Sequence, residues 1–240
     1  MIALGVFCFR GDFFYTWSGI PDGLPARAAF SYGNGAYLIA AGVGVMIASH
    51  GSAGARSTPA GSAESIDRFA RPAGLALAAL WLLYTACHVP RFLAAWRPFL
   101  GQIAEPAALA SFGLVLAARG PDDALARAGR IVCGVCLPLF GVVHFLYPDA
   151  VAGFIPAWIP ARLFWAYFTA CAFIAAGLAV LSGVWIRLAS ILVAAMFTSW
   201  VVVLHLPRLA VALGDPHEWA TVFVALAFAG GAWIFAGRQR

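Results

Sequence analysis

The chain contains no lysine and little charge of either sign: charged residues make up 10% of its 240 positions, against about a quarter in soluble domains. So sparse a charge excludes an ordinary water-soluble globular domain. All fifteen basic residues are arginine. They form no cluster interleaved with aromatics, so no nucleic-acid partner is expected. The five cysteines (Cys8, Cys87, Cys133, Cys136 and Cys171) fall in or beside apolar runs, and their spacing is not that of a secreted disulfide framework. No basic stretch precedes Ile2–Phe9 and no small-residue cleavage site follows it, so no signal peptide is expected.

What the chain has instead is apolar length. It is 63% hydrophobic with a mean hydropathy of +0.88, and its charges cluster between stretches near the ~20 residues that cross a ~30 Å hydrocarbon core. Eight spans are predicted, at roughly 1–17, 28–48, 72–89, 103–118, 130–147, 162–182, 187–206 and 218–236. In lipid the backbone must satisfy its own polar groups within each segment, so these runs read as helices.

The sequence also repeats itself. Ile20-Pro21-x-x-x-Pro25-Ala26-Arg27 aligns with Ile155-Pro156-x-x-x-Pro160-Ala161-Arg162, and 11 of the 27 columns from 20–46 against 155–181 are identical. His88-Val-Pro-Arg91 is answered by His205-Leu-Pro-Arg208, with Glu105 and Glu218 following. A repeat of this kind is one structural unit used twice. The expected fold is therefore an all-α polytopic membrane protein of eight transmembrane helices in two parallel four-helix repeats. The first repeat covers 1–118, with a flexible loop at 49–72 that carries no structure. The second covers 130–240, and the linker is 119–129, where Asp122 after Pro121 is placed to cap a short interfacial helix. An even number of spans per half relates the halves by an axis along the membrane normal. Gly141 aligns with Gly5 but has a longer apolar run before it. The first span is thus short, either because the start lies upstream or because helix has been lost.

Nine arginines fall on the linker side and six on the other. The positive-inside rule then puts both termini in the cytoplasm of an inner (plasma) membrane protein. On the opposite face each half has an aromatic, proline-punctuated segment, Phe13–Pro25 and Tyr147–Pro160, suited to a short kinked or re-entrant element. Trp158 and the arginines of Pro-Ala-Arg, Arg27 and Arg162, sit beside it.

The candidate chemistry lies on that face. The prolines of His-x-Pro-Arg are expected to end the third span of each half, leaving His88, Arg91, His205 and Arg208 at the interface as helix-stop anchors or as a ligand site. His144 approaches the same face, and His217 and Glu218 open the last span. His144, His205 and Glu218 are the acid–base candidates, and with His217 they are also the candidate ligands for zinc, iron or copper. A haem between His144 and His205 is geometrically open. No H-x-x-x-H or H-x-x-E pair fixes two ligands on one helix face, however, and an electrostatic cluster is favoured, with Glu105 and Glu218 neutralising Arg91 and Arg208 or the arginines of Pro-Ala-Arg. Cys133-Gly-Val-Cys136 has the spacing of a redox dithiol, but it lies in a span without a counterpart in the first half and reads as apolar packing. Gly/Ala faces such as Ala40–Gly44 and Ala175–Gly177 read as helix-packing surfaces.

The run Gly141-Val-Val-His144-Phe145, then Pro156-x-x-x-Pro160, then Ala176-Gly177-Leu178 resembles the DoxX/DoxD-type membrane proteins, over nearly all of 130–237 and more faintly over 1–118. The resemblance implies four-helix bundles with a proline-bearing element after the first helix; two fused copies are a departure. The family takes its name from a subunit of a thiosulfate:quinone oxidoreductase, and relatives accompany other redox systems. It supplies no catalytic motif that maps onto residues here. The expected function is an accessory component of a quinone-linked membrane redox system, touching quinone or a partner oxidoreductase. The alternatives are a non-catalytic binder or carrier of a small lipophilic molecule, and a lipid-modifying enzyme or isomerase using the His/Glu groups.

Overall fold

The computed structural model describes residues 27–54 and 61–239, together with Ile2, Val6 and Cys8. These residues are helical apart from short connections: α1 (Arg27–Gly54), α2 (Gly61–Ala94), α3 (Trp96–Ala117), α4 (Ala124–Leu146), the short α5 (Pro148–Phe154), α6 (Arg162–Ser182), α7 (Ile186–Trp200), a π-helical turn (Val201–His205), α8 (Leu206–Val211) and α9 (Pro216–Arg238). Six segments among the described residues are long and apolar enough to cross a membrane: Phe69–Ala94, Trp96–Ala117, Ala124–Leu146, Arg162–Ser182, Ile186–Val211 and His217–Arg238. The protein is thus a polytopic α-helical membrane protein. The expected span 1–17, and with it the question of a shortened first helix, lies outside the described residues.

Helix persists where hydropathy alone would end it. The described residues of the segment 49–72 are helical and not a structureless loop: α1 runs to Gly54 and α2 begins at Gly61. α3 starts at Trp96 rather than 103, because a backbone leaving water gains more from its own hydrogen bonds than Arg97, Gln102 and Glu105 lose. In the linker, Asp123 and not Asp122 is the N-cap. Its Oδ1 accepts from the Leu125 amide at 2.8 Å and its Oδ2 from the Arg119 amide at 3.1 Å. The helix it opens is α4 itself, so no separate interfacial helix forms.

The His-x-Pro-Arg prolines do not stop their helices either. α2 passes through Pro90 to Ala94. In the second half Pro207 has no amide to donate and its ring displaces the carbonyl four residues back. The preceding turn widens in response, and the Leu206 amide bonds to the Val201 oxygen, five residues back.

Chain neighbours pack against one another, and the halves meet where α3 contacts α4 and α9. Between membrane helices, close packing replaces the hydrophobic effect as the source of attraction. A Cβ on Gly113 of α3 would stand 2.7 Å from the Ala78 nitrogen of α2, and one on Gly177 of α6 would stand 2.2 Å from the Pro138 ring of α4. Between these seams sits an aromatic core. Phe140, Phe173, Phe197 and Phe228 interlock at centroid distances of 5.0–5.8 Å, and Phe112 joins from the first half at 6.1 Å from Phe228. Each such pair contributes ~0.5–1.5 kcal/mol beyond area burial. Cys133 and Cys136 are buried in this core and both are free thiols.

Candidate functional site

The π turn, α5 and the start of α9 bring the second-half motif together on the face opposite the linker. Arg208 stands one turn beyond His205 and reaches the first turn of α9. Its Nη2 donates to Glu218 Oε1 at 2.6 Å and its Nε donates to Oε2 at 3.2 Å, a two-point grip on one carboxylate. The same guanidinium lies 4.7 Å above the ring of Phe154, the last residue of α5. One arginine therefore ties three segments together. Glu218 is buried and sits where a helix N-terminus favours negative charge. Asp215 caps that helix by accepting from the His217 amide at 2.8 Å.

His205 lies within electrostatic reach of both Arg208 and Glu218, and its Nδ1 is buried with no hydrogen-bond partner. His144 is differently placed. Its Nδ1 donates to the Phe140 carbonyl at 2.8 Å, four residues back, which leaves Nε2 with its lone pair. Its ring is stacked on Trp200 (centroids 6.3 Å, 23°) and edge-on to Phe173 at 5.4 Å. The spare nitrogens of His144 and His205 are the uncommitted polar atoms here.

The first half does not copy this arrangement. His88 is buried where its counterpart His205 is half-buried, Arg91 is exposed, and Glu105 makes no ion pair or hydrogen bond among the described residues. The expected Arg91–Glu105 neutralisation is therefore absent, and depth explains it. Glu218 is in the first turn of α9, level with Arg208. Glu105 is nine residues into α3, roughly 13 Å along the axis at 1.5 Å per residue. The first half instead buries a different polar set. Ser31 Oγ donates to the Cys8 carbonyl at 2.6 Å, Asn34 Nδ2 donates to Cys8 Sγ at 3.4 Å, and the Tyr84 hydroxyl donates to Asn34 Oδ1.

The remaining candidates scatter. Trp158 is 71% exposed on the turn after α5. Arg162 is exposed and lines a surface cavity of about 440 Å³ with Asp149 and Gly153. The side chain of Arg27 is outside the described residues. His217 is exposed, Glu218 is held by Arg208, and His144 points into aromatic rings. No set of three His, Cys, Asp or Glu side chains converges as metal ligands among the described residues.

A separate apolar cavity of about 370 Å³ lies between the halves, nearer the linker. Leu77 and Trp81 of α2, Phe112 and Leu116 of α3, and Leu226 and Ile234 of α9 are among the residues that line it. Trp81 is buried, and its indole N–H has no hydrogen-bond partner among the described residues. Sequence reasoning missed Trp81, Trp200 and Phe154. The signal available for the first was its place on α2, two helical turns before His88 on the same face. No known family, curated protein or solved structure matches this chain.

Proposed function

We propose that the protein binds a small lipophilic molecule of the quinone class between its halves and serves as a non-catalytic accessory to a redox partner in the inner (plasma) membrane, with both termini cytoplasmic. The observation that carries this reading is the inter-half cavity. Its volume of about 370 Å³ falls within the ~300–1,000 Å³ typical of small-molecule sites, and its walls are apolar and aromatic. The quinone class and the redox partner rest on the DoxX-like resemblance; the orientation rests on the arginine bias.

The rival reading, a lipid-modifying enzyme, has the partnerless Nδ1 of His205 in its favour. Against it, both oxygens of Glu218 are engaged by Arg208, so no carboxylate is left as the general base of that cluster.

The test is organic extraction of the protein purified in mild detergent, with titration of a short-chain quinone against tryptophan fluorescence. Saturable quenching that is lost on Trp81→Leu, together with altered quinol-dependent oxygen uptake in a deletion strain, supports the proposal. An accumulated lipid precursor in that strain with unchanged respiration transfers the case to the enzyme reading.

A further inference from the structure

On the linker face the end of α3, the turn at 118–123, the start of α4 and the end of α9 enclose a cavity of about 200 Å³. Three of its lining residues are Arg119, Arg130 and Arg238, one from the turn and one from each of two helices. Among the described residues no carboxylate lines it.

Among the described residues none of the three guanidinium groups forms an ion pair. Arg238 is fixed in place by Nη1 donating to the Ala118 carbonyl at 2.8 Å and Nη2 donating to that of Leu116 at 3.5 Å, both uncharged acceptors. Among the described residues the guanidinium groups of Arg119 and Arg130 make no hydrogen bond or ion pair. Asp122 and Asp123 are the carboxylates nearest in sequence to Arg119; neither lines the recess, and Asp123, which accepts from the Leu125 and Arg119 amides, also lies within electrostatic reach of Arg119. Arg127 turns away to the Asp122 carbonyl, at 2.6 Å.

Helix capping and membrane orientation account for arginines near this face. They do not account for three converging on one recess that no described carboxylate lines, an arrangement in which like charges repel until an anion enters. Guanidinium groups match phosphate oxygens in pairs, and basic recesses between membrane helices on the arginine-rich side are where anionic headgroups sit. We propose that this recess binds the phosphate of an anionic phospholipid headgroup, whose acyl chains lie along the bundle, and that the bound phosphate joins the linker to the start of α4 and the end of α9. The same phosphate chemistry could be supplied by a free anion. The lipid is favoured because the recess stands at the ends of membrane-spanning helices, at headgroup level.

The test is native mass spectrometry of the full chain in a neutral detergent, with added phosphatidylglycerol, phosphatidylcholine or inorganic phosphate. Arg119→Gln/Arg130→Gln removes the two unengaged cations and leaves the Arg238 contacts alone; Arg97→Gln, on the opposite face, is the control. A preference for phosphatidylglycerol that falls about tenfold or more in the double variant and is unchanged in Arg97→Gln supports the proposal. Inorganic phosphate bound with no preference between the two lipids overturns the lipid assignment. Equal phosphatidylglycerol binding by wild type and double variant overturns the recess as the site. If the double variant fails to fold by circular dichroism, Arg119→Lys/Arg130→Lys replaces it. This pair keeps the charge but loses the paired geometry, and wild-type affinity there would also overturn the guanidinium assignment.

Discussion

Arg208 holds both oxygens of Glu218, whereas Arg91 and Glu105, which follow one another at a similar distance in the first half of the sequence, form no ion pair among the described residues. The two stretches of sequence match in letters, but this pair of side chains is not arranged alike in them. The pair in the second half links the π turn to α9, and the Glu side chain is 11% exposed against 34% for the Arg.

Glu218→Gln should therefore lower stability by about 1–3 kcal/mol, the range for hydrogen bonds to charged groups at a partly buried site. Glu105→Gln should change it by no more than about 0.5 kcal/mol. Thermal unfolding in detergent, followed by circular dichroism, measures both; equal effects would mean that Glu105 has a partner of comparable worth.

Ala161, between Pro160 and Arg162, adopts φ +54°, a left-handed conformation that strains an alanine. Ala161→Gly should raise stability by roughly 1 kcal/mol, because a Cβ costs about that much in this region and glycine has none. A lower melting temperature in the variant would contradict the left-handed assignment.

Gly113→Ala places a methyl 2.7 Å from the backbone of α2 and should destabilise by ~1–3 kcal/mol. Gly230→Ala on α9 has nothing within 4 Å and should be neutral or stabilising by up to about 1 kcal/mol through helix propensity. The comparison is made on the same unfolding scale. A tolerated alanine at 113 would show that α2 and α3 are not in backbone contact.

The amides of Leu125 and then Arg119 hold the Asp123 carboxyl below its usual value of 3.8. A depressed pKa contributes stability that is complete above the unfolded value and is lost as pH falls through the lower folded one. The stability of the wild type should thus fall, relative to that of Asp123→Asn, as pH drops below about 4, because the variant keeps a capping oxygen but does not titrate. Parallel pH profiles for the two proteins would remove the cap from the account.

Much of the helical plan could be read from the chain. Hydropathy located the apolar stretches, and the prolines at 156 and 160 announced a short kinked element in Tyr147–Pro160, where α5 and the turn behind it stand. What escaped depended on three-dimensional depth. Arg97, Gln102 and Glu105 lower the local hydropathy enough to hide the first turns of α3. With those turns hidden, Glu105 looked like an interfacial partner for Arg91. The π turn escaped for another reason: Pro207 signals that the hydrogen-bond ladder must change, but both an ended helix and a widened one answer that demand. The stacking of His144 on Trp200 joins residues far apart in sequence and leaves no local pattern.

Ala95 alone separates α2 from α3. Two long rods joined by one residue, with backbones in contact at Gly74 and Gly113, have no hinge and must swing together as a single lever. α3 is also the rod that touches α4 and α9 across the seam. Rearrangement at the connection 118–123 would therefore carry α2 and α3 as one piece, widening or narrowing the gap beside Phe112 and Trp81.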